Sequence, residues 1–159
     1  MSTNDRIAPL DLGVVPEAAV SGGLLVQTEH SAYFLFNAMR EQPNGRRIEA
    51  GTAVLAFLAP LQTRFGHPND EAHAGHPVLA QAHTGYGIYE VHGSSWLAEI
   101  QRQNSISFPK FSFTGVRHFV ITLHDSTFEC LARDVALERC SEDYGAALRM
   151  VAERALREP

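Results

Sequence analysis

The apolar positions of this chain recur mainly at a spacing of two, the period of a pleated strand, and take up helical spacing in two places. Leu24-Leu25-Val26-Gln27-Thr28 and Tyr33-Phe34-Leu35-Phe36, separated by polar Glu29-His30-Ser31, predict a hairpin of β-prone runs. Gln42-Pro43-Asn44-Gly45 predicts a turn, because proline presets φ and glycine accepts the positive φ that other residues avoid. From Ile48 to Phe57 the chain becomes apolar on both alternating faces, which predicts a central strand covered on two sides. Tyr86 to His92 reads as a strand with Tyr86, Ile88, Glu90 and His92 on one face and Gly87, Tyr89 and Val91 on the other. Phe119 to Leu123 and Phe128 to Leu137, joined by the turn formers Asp125-Ser126-Thr127, predict a second hairpin.

Ser94-Ser95 ahead of Trp96 to Arg102 predicts a short capped helix, since a hydroxyl can accept from the unpaired amides of a first turn. At the end of the chain Tyr144, Ala147, Leu148, Val151 and Ala155 lie at helical spacing, with Ser141 as the expected cap, Glu142 and Asp143 in the first turn, and Arg149, Arg154 and Arg157 toward the negative end of the dipole. Residues 105–115 carry Pro109 and receive no assignment. Residues 1–20 show no sustained period and are expected to form a flexible N-terminal arm, leaving 21–159 as one globular domain. The expected class is α+β: a curved, mostly antiparallel sheet or partial barrel with a short middle helix and a C-terminal amphipathic helix.

Composition narrows the function. At 159 residues, 45% hydrophobic and 19% charged, the chain can bury a single ordinary core. A net charge of -5, with Lys110 the only lysine and arginines mostly scattered, argues against a nucleic-acid partner. The longest apolar run, Ala53 to Pro60, falls far short of the ~20 residues of a membrane span, so no membrane segment is expected. Two cysteines, Cys130 and Cys140, without a disulfide-scaffold spacing or a signal peptide ahead of them, predict reduced thiols and a cytoplasmic location. The glycines at 85, 87 and 93 follow no dinucleotide fingerprint, so no nucleotide cofactor is indicated.

Candidate chemistry concentrates where imidazoles meet acids. Five of the eight histidines fall between His67 and His92, and the stretch from Arg64 to Pro77 mixes His67, Asp70, Glu71 and His76 within Gly-His-Pro punctuation. Imidazole and carboxylate together can work as an acid–base pair or hold a divalent metal, provided that folding converges them. The same residues could serve as metal ligands, although no His-Glu-x-x-His, Cys-x-x-Cys or Asp-x-Asp-x-Asp-Gly motif is present and no ligand set can be named. Glu90 on its strand, His124 beside Asp125, and Glu129 between Phe128 and Cys130 complete the candidate catalytic set of His67, Asp70, Glu71, Glu90, His124 and Glu129. A half-buried Glu90 would have its pKa raised toward the range useful for proton transfer. Arg64 as a carboxylate clamp, His76, Tyr86 and Trp96 are the expected substrate contacts. His118 and Thr122 share a face with His124, so two strands could line one polar hollow. Ser94 and Ser95 read as caps before nucleophiles, because neither sits in Gly-x-Ser-x-Gly or Ser-x-x-Lys.

The expectation is a small cytosolic enzyme acting on a compact polar metabolite by acid–base chemistry, of hydrolase, lyase or isomerase type, with metal assistance and a homo-oligomeric state left open. The competing expectations are a non-catalytic small-molecule binder, dominated by Tyr86, Tyr89 and Trp96, and an accessory subunit whose His-rich loop is a contact surface.

Overall fold

The computed structural model describes residues 5–19, 22–81, 85–141 and 143–158. The strands are β1 (Arg6–Pro9), β2 (Val15–Pro16), β3 (Leu24–Gln27), β4 (Ala32–Glu41), β5 (Arg47–Leu58), β6 (Gln62–Gly66), β7 (Gly87–His92), β8 (Arg117–Thr122), β9 (Thr127–Ala132) and β10 (Asp134–Ser141), with helices α1 (Ser95–Ser105) and α2 (Tyr144–Arg157). They pair antiparallel into two sheets, one ordered β1-β7-β8-β9-β6 and the other β10-β5-β4-β2, with β3 also on β4. The α+β class and the mostly antiparallel pairing expected from the sequence are observed.

Strand alternation explains why the two layers stack. Phe34 and Phe36 of β4 and Leu55 and Phe57 of β5 point inward, where they meet Phe119 and Ile121 of β8 and Phe128 and Cys130 of β9. Phe34 and Phe128 stack with centroids 4.2 Å apart, both fully buried. Tyr33, Leu35 and Val54 face the opposite side and are covered by Ala147, Val151 and Ala155 of α2. That double coverage is why β4 and β5 read as apolar runs. Cys130 is a free thiol whose pKa burial pushes up to about 12.

The layers join at a corner. Ala59–Pro60–Leu61 leads from β5 into β6, and the single residue Arg133 leads from β9 into β10. Leu61 N–H donates to the Leu131 carbonyl (2.7 Å) and Arg133 N–H to the Leu58 carbonyl (2.9 Å), so the two crossings are bonded to each other. The run 128–137, read from the sequence as one strand, is therefore β9 followed by the first half of β10, divided between the sheets.

The segment read as an arm supplies β1, paired along β7 from Arg6↔His92 to Pro9↔Tyr89, and β2, paired with β4. Buried Asp5 accepts from the Ser95 amide (2.5 Å) and hydroxyl (2.7 Å), which ties this segment to α1. The β3–β4 and β8–β9 hairpins and the 42–45 turn, with Gly45 at φ 78°, form as expected. Residues 105–115, left unassigned, contain no strand, and Gln101 braces them by donating to the Phe111 carbonyl and accepting from the Phe113 amide.

The C-terminal helix starts later than expected. Its cap is Asp143, whose carboxylate accepts from Ala146 N–H at 3.0 Å; Ser141 is the last residue of β10 and Glu142 lies outside the described residues. Asp143→Ala should lower stability by about 1 kcal/mol, seen as a fall in melting temperature with no change in native far-UV dichroism.

Candidate functional site

The outward face of the first sheet carries the chemistry. With Thr122 opposite Thr127, β8 turns His118, Val120 and Thr122 outward beside Thr127, Glu129 and Leu131 of β9. The 67–81 segment lies over this face. Val78 and Leu79 pack onto Tyr89, Val91 and Val120, Thr127 Oγ1 donates to the Pro68 carbonyl (2.9 Å), and the Asp70 amide donates to the His124 carbonyl (3.1 Å). His73 Nε2 lies 3.3 Å from Thr127 Oγ1. The His-rich loop and the 118–130 hairpin thus converge.

At the open end of this stripe, one carboxylate oxygen gathers two partners. Asp70 Oδ2 accepts from Tyr86 OH at 2.5 Å and lies 2.9 Å from His124 Nδ1, while Tyr86 OH and His124 Nδ1 are 3.1 Å apart. The hydrogen bond and charge of Asp70 hold the His124 imidazolium above its ordinary pKa. Reciprocally, the bonds from Tyr86 and His124 hold the Asp70 carboxyl below its usual range, and the bond to Asp70 raises the Tyr86 phenol. With Nδ1 turned to the carboxylate, Nε2 has no hydrogen-bond partner among the described residues, and the His124 side chain is 48% exposed. An imidazole oriented this way by a carboxylate can pass a proton through its outer nitrogen. Tyr86 also forms part of the wall of a cleft of about 680 Å³ with Leu10, Asp11, Glu41, Arg47 and Tyr89.

Further along the same face the groups are buried. His118, 2% exposed, lies 2.9 Å from Glu129 Oε2 through Nε2 and 2.9 Å from Ser94 Oγ through Nδ1. Burial pushes the Glu129 carboxyl up, but the bond from His118 and the charges of His118, His76 and Arg64 outweigh it and leave Glu129 below its usual pKa. Arg64 lies 3.8 Å from Glu129 Oε1 and sits over the Trp96 ring, 3.9 Å from its centroid. Trp96 meets His118 edge-on and donates from Nε1 to Gln62 Oε1 at 2.9 Å. His76 uses Nδ1 to accept from the Val78 and Leu79 amides, and burial lowers its pKa.

The predicted residues therefore divide. Asp70, Tyr86 and His124 meet at the exposed end; Arg64, His76, Trp96 and Glu129 gather around the buried one. Glu71 reaches the first group through its backbone N–H, which donates to Asp70 Oδ1 at 2.8 Å, and through its charge on His124, and exposed His67 joins neither. Glu90 requires a correction: Arg117 donates to both its oxygens at 2.9 and 2.6 Å and holds its carboxyl below, not above, the usual value. That ion pair extends to Asp134 and lines the same cleft as Ser94 and His118 without a hydrogen bond to either group. His83, counted in the His-rich window, lies outside the described residues.

Two residues of the buried group lay outside the candidate catalytic and substrate-contact sets: His118, read only as lining a polar hollow, and Ser94, read as a cap. His118 is placed diagonally across from Glu129 by the two-residue turn His124–Asp125, closed by Leu123 N–H to the Ser126 carbonyl, one position earlier than the turn expected from Asp125-Ser126-Thr127. Ser94 was hidden by its role as cap of α1, where it accepts from Leu97 N–H at 3.1 Å. Among the described residues no three His, Cys, Asp or Glu side chains are gathered to hold a metal ion, and no helix is long and apolar enough to cross a membrane. No family model, no curated protein and no solved structure matches this chain.

Proposed function

We propose that this chain is a small cytosolic enzyme that acts on a compact polar metabolite by acid–base chemistry, of hydrolase, lyase or isomerase type, at Asp70, Tyr86 and His124. The observation that carries this reading is the convergence of Tyr86 and His124 on the single oxygen Asp70 Oδ2 from three separate stretches of chain. An exposed pair of this kind adds little to stability, so the fold has no strong need of it.

In this reading His124, whose proton Asp70 holds more tightly than a free imidazole would, delivers it from Nε2, while Asp70 balances the charge and holds the ring. Tyr86 is the second donor and forms the shared edge with the cleft. The cleft has the size of a small-metabolite site, and Arg47 on its rim is paired with Glu41 at 3.7 Å. Activity is expected to fall as pH rises through the raised imidazole pKa, because the acid form is then lost.

The test is incubation of wild type, His124→Gln and Asp70→Asn with a polar metabolite extract, followed by mass spectrometry. Wild type should consume at least one metabolite, and His124→Gln should do so about 100-fold or more slowly. Equal consumption by His124→Gln, or none by wild type, removes the enzyme. Because Tyr86 and Tyr89 both line the cleft, metabolite retention without consumption would assign the chain instead to non-catalytic binding.

A further inference from the structure

We infer that Ser94, His118 and Glu129 form a second reaction centre, separate from the Asp70 group, in which Ser94 is a nucleophile that accepts an acyl group from a small ester. The geometry is that of a nucleophile, a base and an orienting carboxylate in one line: Ser94 Oγ to His118 Nδ1 at 2.9 Å, and His118 Nε2 to Glu129 Oε2 at 2.9 Å. An ionised Glu129 accepts the Nε2 proton and so fixes the tautomer, leaving the Nδ1 lone pair to take the hydroxyl proton of Ser94. Leu97 N–H donates to the same Oγ at 3.1 Å, and the amino end of α1 lies beneath it; both favour negative charge developing on that oxygen.

Access distinguishes this chain from a sealed polar network. Ser94 and His118 both line a cleft of about 530 Å³, walled by Leu97, Gln101, Phe113 and Arg117. Its apolar sides suit the acyl chain, and the Arg117 guanidinium on its rim is neutralised by Glu90 and Asp134. A cap needs only the hydroxyl; it needs neither an imidazole behind it nor a carboxylate in mid-strand, where burial is costly for both.

The Ser94 O–H bond breaks and its proton passes to His118 Nδ1 as Oγ bonds the ester carbonyl carbon, whose π electrons move to the carbonyl oxygen. Collapse of that adduct expels the alcohol, which takes the proton from Nδ1 and leaves acyl-Ser94. Water, deprotonated by the same nitrogen, then releases the carboxylic acid and restores the hydroxyl. Ser94 and His118 are the catalytic residues; Glu129 is a positioning residue.

The experiment uses the full chain and a fluorophosphonate probe, with the adduct weighed intact and mapped by peptide sequencing. One adduct, on Ser94, is expected, forming at least tenfold more slowly in His118→Gln and Glu129→Gln, whose folding is checked by thermal melting. Mapping on wild type keeps the test decisive even where a variant fails to fold. No adduct, an adduct on exposed Ser95 in place of Ser94, or unchanged rates in both folded variants would overturn the proposal. The readout takes nothing from His124, so its result stands apart from that of the metabolite screen.

Discussion

Phe128→Ala is expected to lower the stability of the fold by about 3–5 kcal/mol, measured by urea denaturation at constant m-value. Phe128 is fully buried at the centre of the inter-sheet core, stacked on Phe34 at 4.2 Å and touched by Phe57 and Phe65 with centroids at 5.5 and 6.2 Å. Truncation removes transfer free energy and leaves a space that two pleated layers, tied at the corner, cannot close by sliding together. Because Phe34 and Phe128 line the same space, Phe34→Ala and Phe128→Ala combined should cost less than their sum. A midpoint unchanged in Phe128→Ala would mean that the sheets do not pack through this ring.

His118→Leu is expected to cost a similar amount near neutrality, about 3–5 kcal/mol, because it strands a buried carboxylate. Glu129 keeps Arg64 at 3.8 Å, but Arg64 is largely exposed and screened, and the 2.9 Å bond from His118 is gone. The pH dependence should change sign. In wild type the folded pKa of Glu129 is held low, so its contribution is complete above the ordinary carboxyl pKa and disappears as pH falls through the folded value. In His118→Leu burial is left to dominate and raises that pKa, so mild acid should restore part of the lost stability. Denaturation midpoints in the two conditions check this, and His118→Leu combined with Glu129→Leu should recover most of the loss at neutral pH by removing the stranded charge.

Much of the fold could be read from alternation, and the reasons for the rest are physical. Phe119 and Ile121 opposite Phe128 and Cys130 made a clear period-two face, while the polar run Asp125-Ser126-Thr127 marked the hairpin but not its turn, which lies at His124–Asp125 with Thr127 already in β9. Arg133 was invisible as a break because a strand that changes sheets keeps its alternation, so β9 and β10 read as one. Strands β1 and β2 are four and two residues long, and such short edges are set by the partner strand more than by their own pattern. Ser141 and Asp143 are both good caps, and sequence could not choose between them. For the candidate site, composition located Asp70, Tyr86 and His124, but their meeting depends on how the 67–81 segment folds back over β8 and β9. Glu90 misled because its partner, Arg117, is 27 residues away.

The bonded crossings at Arg133 and Ala59–Leu61 make the molecule intolerant of length change at one place. A residue inserted beside Arg133 would leave β9 untouched yet invert every side chain of β10 up to its bulge, sending Val135 and Leu137 out to water and Asp134 and Ala136 in toward the phenylalanines. Loops elsewhere on the surface can drift in size over generations; this one-residue hinge between layers must keep its parity.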